Sequence, residues 1–221
     1  MQGIYGFDNS YMLDTAERYP GVFGIVATID HVNRNPKERM DELKERGVQG
    51  FRIVASPGKS QNWLDDNGYE TMFRTAADNN QAICPLTHPE GLPDLDRMCG
   101  KHPETTVVVD HMARIGELGP IEEEKINQLC KLARHPNVHV KISRLHSLGD
   151  KKPPHQELIP MIKRVIDAFG PDRIMWGSDS PYQVVTESYS DSINLIRDHL
   201  DLSASERQSI LNDTAARLFF A

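Results

Sequence analysis

No apolar run in this 221-residue chain approaches the roughly 18 residues that a membrane-crossing helix needs. The opening MQGIYGFDNS also lacks the basic-then-apolar plan of a secretory signal, so a cytoplasmic location with no membrane partner is expected. Cysteine is scarce. Cys84, Cys99 and Cys130 form no CxxC pair, and an odd number without a signal reads as free packing thiols, not a disulfide framework. Basic charge is the minority, with 25 Lys and Arg against 32 Asp and Glu for a net charge of -7. That balance removes any global attraction to nucleic acid and leaves only a local basic cleft open. Nucleotide and nucleophile motifs are missing too: Gly58-Lys59-Ser60 has Ile53 where a phosphate loop needs glycine, and G-x-S-x-G, H-E-x-x-H and G-x-G-x-x-G do not occur.

What the chain does have is alternation. A mean hydropathy of -0.50 and 26% charged residues are those of a globular protein. Short β-branched runs predict strands at Phe23–Ile29, Val48–Val54, Gln81–Leu86, Thr106–Asp110, Val138–Ser143 and Arg173–Gly177. Helical periods fill the gaps at Ser10–Arg18, Pro36–Glu45, Tyr69–Asn79, Leu92–Lys101, Ile121–Arg134, Gln156–Phe169 and Glu187–Leu200. Asn35 before Pro36 marks a helix start, and Ser203 with Glu206 forms a capping box for a last helix, Ala204–Phe219. Gly47, Gly100 and Gly170 read as stops. With no linker or low-complexity stretch, residues 1–221 are expected to form one domain. The alternation fits either an open doubly wound sheet or part of a (β/α)8 barrel of the TIM type. Roughly 30 residues per unit favours the barrel, with about six units present and two missing.

In parallel α/β proteins functional groups gather at the carboxyl ends of strands. Those ends supply Asp30-His31, Arg52, His88, Asp110-His111, Arg144 with His146, and Asp179. His111 stands where a buried strand meets the rim, with loop closure as its alternative role. Asp179 follows Trp176-Gly177-Ser178 in a turn, where an Asx cap is the alternative. Arg52 and Arg144 suit a clamp on a substrate carboxylate, since guanidinium forks onto carboxylate, and surface snorkelling is the other reading. His88 is either a second imidazole at the mouth or a loop residue. Lys141 and Ser143 alternate on one face of VHVKIS, while His31 and His146 are left open. His102, His135, His139, His155 and His199 are expected away from the mouth.

The blocks YGFDNSYMLD, VVVDHMARIG, RIMWGSDSPY and ILNDTAARLF, with GVQGFRI and VHVKIS between them, resemble the amidohydrolase superfamily of metal-dependent hydrolases, in particular its lactonase branch. The resemblance runs nearly end to end. It implies a (β/α)8 barrel whose histidine after the sixth strand and aspartate after the eighth correspond to His111 and Asp179. It also implies a divalent metal such as zinc in some members, with His88 near a third ligand position, although some lactonases of the branch work without metal. The H-x-H pair of the first strand is absent, and Met1-Gln2-Gly3-Ile4 resembles the end of the family's second strand. The expected activity is hydrolysis of a lactone or similar ester-like bond in a small carboxylated compound. Asp179 would be the general base, His111 the carbonyl donor, and Arg52 and Arg144 the carboxylate clamp. The alternatives are a metal-dependent decarboxylase of an unsaturated or aromatic acid, and a non-catalytic fragment or interaction module whose open sheet edges pair with another chain, a homo-oligomer included.

Overall fold

The computed structural model describes residues 5–32, 35–55 and 62–220. Met1–Ile4 and Gly58-Lys59-Ser60 lie outside the described residues. The order is α1 (Ser10–Arg18), β1 (Ile25–Ala27), α2 (Pro36–Glu45), β2 (Val48–Val54), α3 (Asn67–Asn79), β3 (Ala82–Leu86), α4 (Leu92–Lys101), β4 (Thr106–Val109), α5 (Glu123–Lys131), β5 (Val138–Ile142), α6 (Ile159–Phe169), β6 (Ile174–Trp176), α7 (Tyr189–Asn194), α8 (Ala204–Gln208) and α9 (Thr214–Phe219). All six strands pair in parallel, in the order β1-β2-β3-β4-β5-β6. A doubly wound sheet would reverse its order at a switch point. Here every neighbour is the next strand in sequence, so the sheet is an arc of a barrel wall.

Local signals explain the elements. Asn35 accepts from Lys37 N ahead of Pro36, and Ser203 with Glu206 makes the expected capping box. A second box, Ser188 with Asp191, starts α7. Gly47 and Gly170 take the left-handed stop expected of them, whereas Gly100 lies inside α4, where the helix runs on to Lys101. Several expected boundaries shrink for identifiable reasons. Strand β1 ends at Ala27 because the Asn9 side chain takes both Thr28 N (3.0 Å) and Thr28 O (2.8 Å), in place of a strand partner. Strand β4 stops at Val109 because the backbone turns left-handed from His111. The expected helix 187–200 is α7 followed by a π-turn, Leu195–His199, and the last helix carries a π-turn at Ser209–Asp213 between α8 and α9.

Period-2 alternation divides the strands between two environments. Phe51, Ile53, Ile83, Val107, Val109, Val140, Ile142 and Ile174 pack with the helices in the main core. The opposite, inner face carries Val26, Ala82, Cys84, Val108 and Met175, and onto these the C-terminal helix α9 lays Ala215, Leu218 and Phe219. The approach is close. A Cβ on Gly24 would stand 2.7 Å from Phe219 O, so only glycine fits there. Above this apolar layer the same face turns polar, with Arg52, Asp110, Lys141 and Ser143 lining a cavity. The C-terminal helix thus fills the lower half of the arc and leaves the strand ends open.

Phe219 is buried to 8% exposure, and truncating such an aromatic costs about 3–5 kcal/mol. Phe219→Ala should therefore lower the unfolding free energy measured in urea by that order, and an unchanged value would show that the inner face does not depend on α9.

Candidate active site

The cavity at the strand ends measures about 650 Å³ and is lined by residues from all six strands or the loops that follow them, among them Arg52, Asp110, His111, Arg114, Lys141, Ser143, Arg144 and Asp179. Three strand ends place their functional side chains by the same device. His111 (φ 57), Arg144 (φ 62) and Asp179 (φ 64) each adopt the left-handed conformation, and His111 opens a run continued by Met112, Ala113 and Arg114. A non-glycine residue there costs roughly 1–2 kcal/mol, and such outliers gather at functional sites. The chain leaves each strand in a sharp turn that aims the side chain at the mouth. Gly116 (φ 88) supports the turn after β4: a Cβ there would meet Ile121 at 2.8 Å, and its carbonyl accepts from Gly149 N at 3.1 Å, joining the loops after β4 and β5.

Asp110 anchors the polar layer. It is fully buried, with Lys141 Nζ donating to Oδ1 at 2.8 Å and Arg52 Nη2 2.9 Å from Oδ2. The second approach is an ion pair at an angle that misses a hydrogen bond, so Oδ2 and Arg52 Nε are left without hydrogen-bond partners among the described residues. Burial pushes the Asp110 carboxyl up, but Lys141 and Arg52 outweigh it and hold it down at about 2. The next side chain behaves oppositely. Burial, helped by the same cations and Arg144, pushes His111 down to about 3, so its imidazole is neutral at physiological pH. Its Nδ1 lies 2.7 Å from Ser143 Oγ and its Nε2 3.7 Å from Asp179 Oδ1.

A second network orients Asp179. Arg144 Nη1 donates to Asp179 Oδ2 at 2.9 Å, while Arg144 Nε and Nη2 reach Glu117 Oε1 at 3.0 and 2.9 Å. Glu117 also meets His88 Nε2 at 3.1 Å and stands 3.5 Å from Arg114 Nε. His146 Nε2 sits 3.9 Å from Asp179 Oδ2. Behind it, His155 and Glu187 form a fully buried pair at 2.5 Å that ties the loops after β5 and β6 together.

The structure brings Arg52, His111, Arg144 and Asp179 to one cavity. His88 is directed to Glu117, and among the described residues no three His, Cys, Asp or Glu side chains form a group able to hold a metal ion. The expected set of His111, Asp179 and His88 is therefore not assembled, and the one oxygen of Asp179 facing away from His111 is covered by Arg144. Neither arginine is the surface snorkel of the alternative reading; both are paired with protein carboxylates. Lys141 and Ser143, which alternate on one face of β5 and its end, hold Asp110 and His111. His31 instead stacks on Tyr69 at 3.9 Å between ring centroids. His155 lies nearer the site than expected, against the loop that bears Asp179. Sequence reasoning missed Arg114 and Glu117. Their signal is spacing, three and six residues after His111 in a loop leaving a strand end, which carries little weight until the turn is known.

An arc of parallel strands with imidazole, carboxylate and guanidinium at the carboxyl ends is the architecture of a barrel hydrolase. The chain belongs to the amidohydrolase family, whose model, described as "Amidohydrolase", matches residues 1–221. It is 28% identical over 185 residues to an L-fucono-1,5-lactonase of Burkholderia ambifaria, covering 83% of this chain and 64% of that protein. It is also 28% identical over 227 residues to the 2-pyrone-4,6-dicarbaxylate hydrolase of Comamonas testosteroni, covering 98% of this chain and 73% of that protein. An amidohydrolase from Burkholderia multivorans solved with bound zinc superposes with a TM-score of 0.83 at 25% identity, over 95% of this chain and 78% of that one. The chain thus spans roughly two thirds to three quarters of its relatives. No helix among the described residues is long and apolar enough to cross a membrane. All three cysteines are free, with Cys84 and Cys99 buried.

Two buried histidines tie stability to pH. Burial lowers His139, on the inner face of β5, to about 4, as it lowers His111 to about 3. Unfolded, each titrates near its ordinary 6.5, so between pH 6.5 and 4 the unfolded chain binds protons that the folded chain does not. Stability must then fall as pH falls, by about 2 kcal/mol per histidine between pH 7 and 5. Urea unfolding of His139→Gln should show a decline smaller by about that amount, and an equal decline in variant and parent would contradict the assignment.

Proposed function

We propose that this chain is a lactone hydrolase that opens the ring ester of a small carboxylated compound, with residues 1–221 acting as a single domain. The observation that carries this reading is the facing of Asp179 Oδ1 and His111 Nε2 across 3.7 Å in the strand-end cavity. That separation is too long for a direct hydrogen bond and leaves both atoms available to a third group beside them. The names of the two relatives, a fuconolactonase and a pyrone dicarboxylate hydrolase, support ring-ester chemistry for the family's shared site.

Asp179 acts as general base. Arg144 occupies Oδ2, so Oδ1 takes the proton of the attacking water. As the water oxygen bonds to the carbonyl carbon, charge develops on the carbonyl oxygen, where His111 donates from Nε2. A neutral imidazole with hydrogen on Nε2 must accept at Nδ1, and the Ser143 hydroxyl at 2.7 Å is placed to donate there. Such an oriented donor is worth about 3–4 kcal/mol of transition-state stabilisation in comparable sites. Collapse of the tetrahedral intermediate breaks the ring carbon–oxygen bond, and the proton held by Asp179 passes to the departing ring oxygen. The products are a carboxylic acid and a hydroxyl compound. Arg52 faces the same cavity for the substrate's carboxylate, while Arg144 positions the base.

Asp179→Asn keeps the shape and removes the base. Turnover of 2-pyrone-4,6-dicarboxylate should fall by about 10²–10⁴-fold with the circular dichroism spectrum retained. Undiminished turnover by the folded variant would sink the assignment.

A further inference from the structure

Outside the cavity, the loops after β5 and β6 bury a second imidazole–carboxylate pair. His155 has no solvent exposure, the Glu187 side chain is 1% exposed, and His155 Nε2 lies 2.5 Å from Glu187 Oε2. As a source of stability these residues are a poor choice. His155 Nδ1 and Glu187 Oε1 are buried with no hydrogen-bond partner among the described residues, and a buried ionisable pair commonly stabilises no more than well-packed apolar side chains of similar volume. What the pair does fix is register, because one short contact holds the two loops in a single arrangement.

That contact is placed to act on Asp179. His155 lies at the far end of the loop that begins at Arg144, and Glu187 at the far end of the loop that carries Asp179. The same two loops are joined at their near ends by Arg144 Nη1 and Asp179 Oδ2 at 2.9 Å. From Glu187 the backbone leads back to the base in two steps: Glu187 N donates to Gln183 O at 3.1 Å, and Gln183 N donates to Asp179 O at 3.4 Å. Gln183 is itself fully buried, with its side-chain amide donating to Ser188 O at 2.7 Å and accepting from Ser180 Oγ at 3.3 Å. Asp179 depends on such support, since at φ 64 it holds a conformation that is strained for any residue but glycine.

We propose that His155 and Glu187 are positioning residues for Asp179: the pair locks the loop after β6 through Gln183 and thereby keeps Asp179 Oδ1 facing His111 Nε2 at 3.7 Å. The catalytic consequence rests on the lactone-hydrolase reading, whereas the lock itself rests on the loop geometry alone. Neither residue lines the cavity, so the pair acts on the placement of the base and not on substrate contacts. A displacement of about 1 Å in a reacting group is enough to lower turnover about a hundredfold.

The test replaces both partners by apolar side chains, His155→Leu together with Glu187→Leu, so that no charge is left buried alone. This double variant should unfold in urea with a free energy no lower than the parent's. Its kcat for 2-pyrone-4,6-dicarboxylate should nevertheless fall about tenfold or more, with KM within about threefold. Glu187→Gln, which keeps the shape and an acceptor for His155, should hold kcat within about threefold of the parent. Amide hydrogen exchange read by mass spectrometry needs no reaction: residues 177–188 should exchange about tenfold or more faster in the double variant, while β2 to β5 keep the parent's rates. A double variant that fails to fold, or that loses stability together with turnover, shows the pair to be a stability element and overturns the proposal. Parental kcat, or parental exchange at residues 177–188, in a stable double variant overturns it as well. If the local exchange rises as expected while the parent protein hydrolyses no lactone, the reaction assigned above is wrong and the loop lock stands.

Discussion

A carboxylate with no solvent exposure must be matched by cations, and the upper half of this sheet is organised around that requirement at Asp110. Lys141 reaches it from β5 and Arg52 from β2, so three strands of the arc meet at one side chain. Breaking such a pair typically costs about 3–5 kcal/mol, because the remaining charge is left buried alone. The cations drawn in to satisfy Asp110 also act on what lies beside it. Together with burial they keep His111 neutral, so one of its ring nitrogens donates and the other accepts. The electrostatics of the candidate site therefore follow from a structural obligation one residue away.

The inner face of the arc is divided by depth. Phe219 and its neighbours on the C-terminal helix seal the lower half with apolar contacts, and the strand ends above are left to polar groups. An apolar floor under a charged layer lowers the local dielectric and strengthens each ion pair above it. It also explains why His139, one alternation below Lys141 on the same strand, is neutral and buried. Rigidity comes from the loops as well as the sheet. The His155–Glu187 pair, the Gly149–Gly116 hydrogen bond and the Arg144 bridge between Glu117 and Asp179 fasten three successive loops to one another. Left-handed backbone at His111, Arg144 and Asp179 is sustained by this cross-bracing.

Membership of the amidohydrolase family accounts for the architecture and for the position of the imidazole and carboxylate, but the site has its own chemistry. His88, which the resemblance set near a metal-ligand position, here serves Glu117, and four cations crowd the space between Asp110 and Asp179.

Much of the fold was legible in the residues themselves. Hydrophobic runs of strand length alternating with helical periods named all six strands, because side-chain burial on a parallel sheet leaves a local pattern. Caps at Asn35 and Ser203 were readable for the same reason, since the hydrogen bonds they make span three residues or fewer. The strand-end rule also located His111, Asp179, Arg52 and Arg144, because topology sends all carboxyl ends to one rim. Partnership was not legible. That Arg52 would meet Asp110, that Ser143 would meet His111, or that Glu117 would gather Arg144 and His88 depends on contacts 27 to 58 residues apart in the chain. No local pattern encodes such distances. The strand sequence determined which side chains face the cavity, and only the tertiary structure decided which charges there are matched, because the matching groups come from different strands and loops.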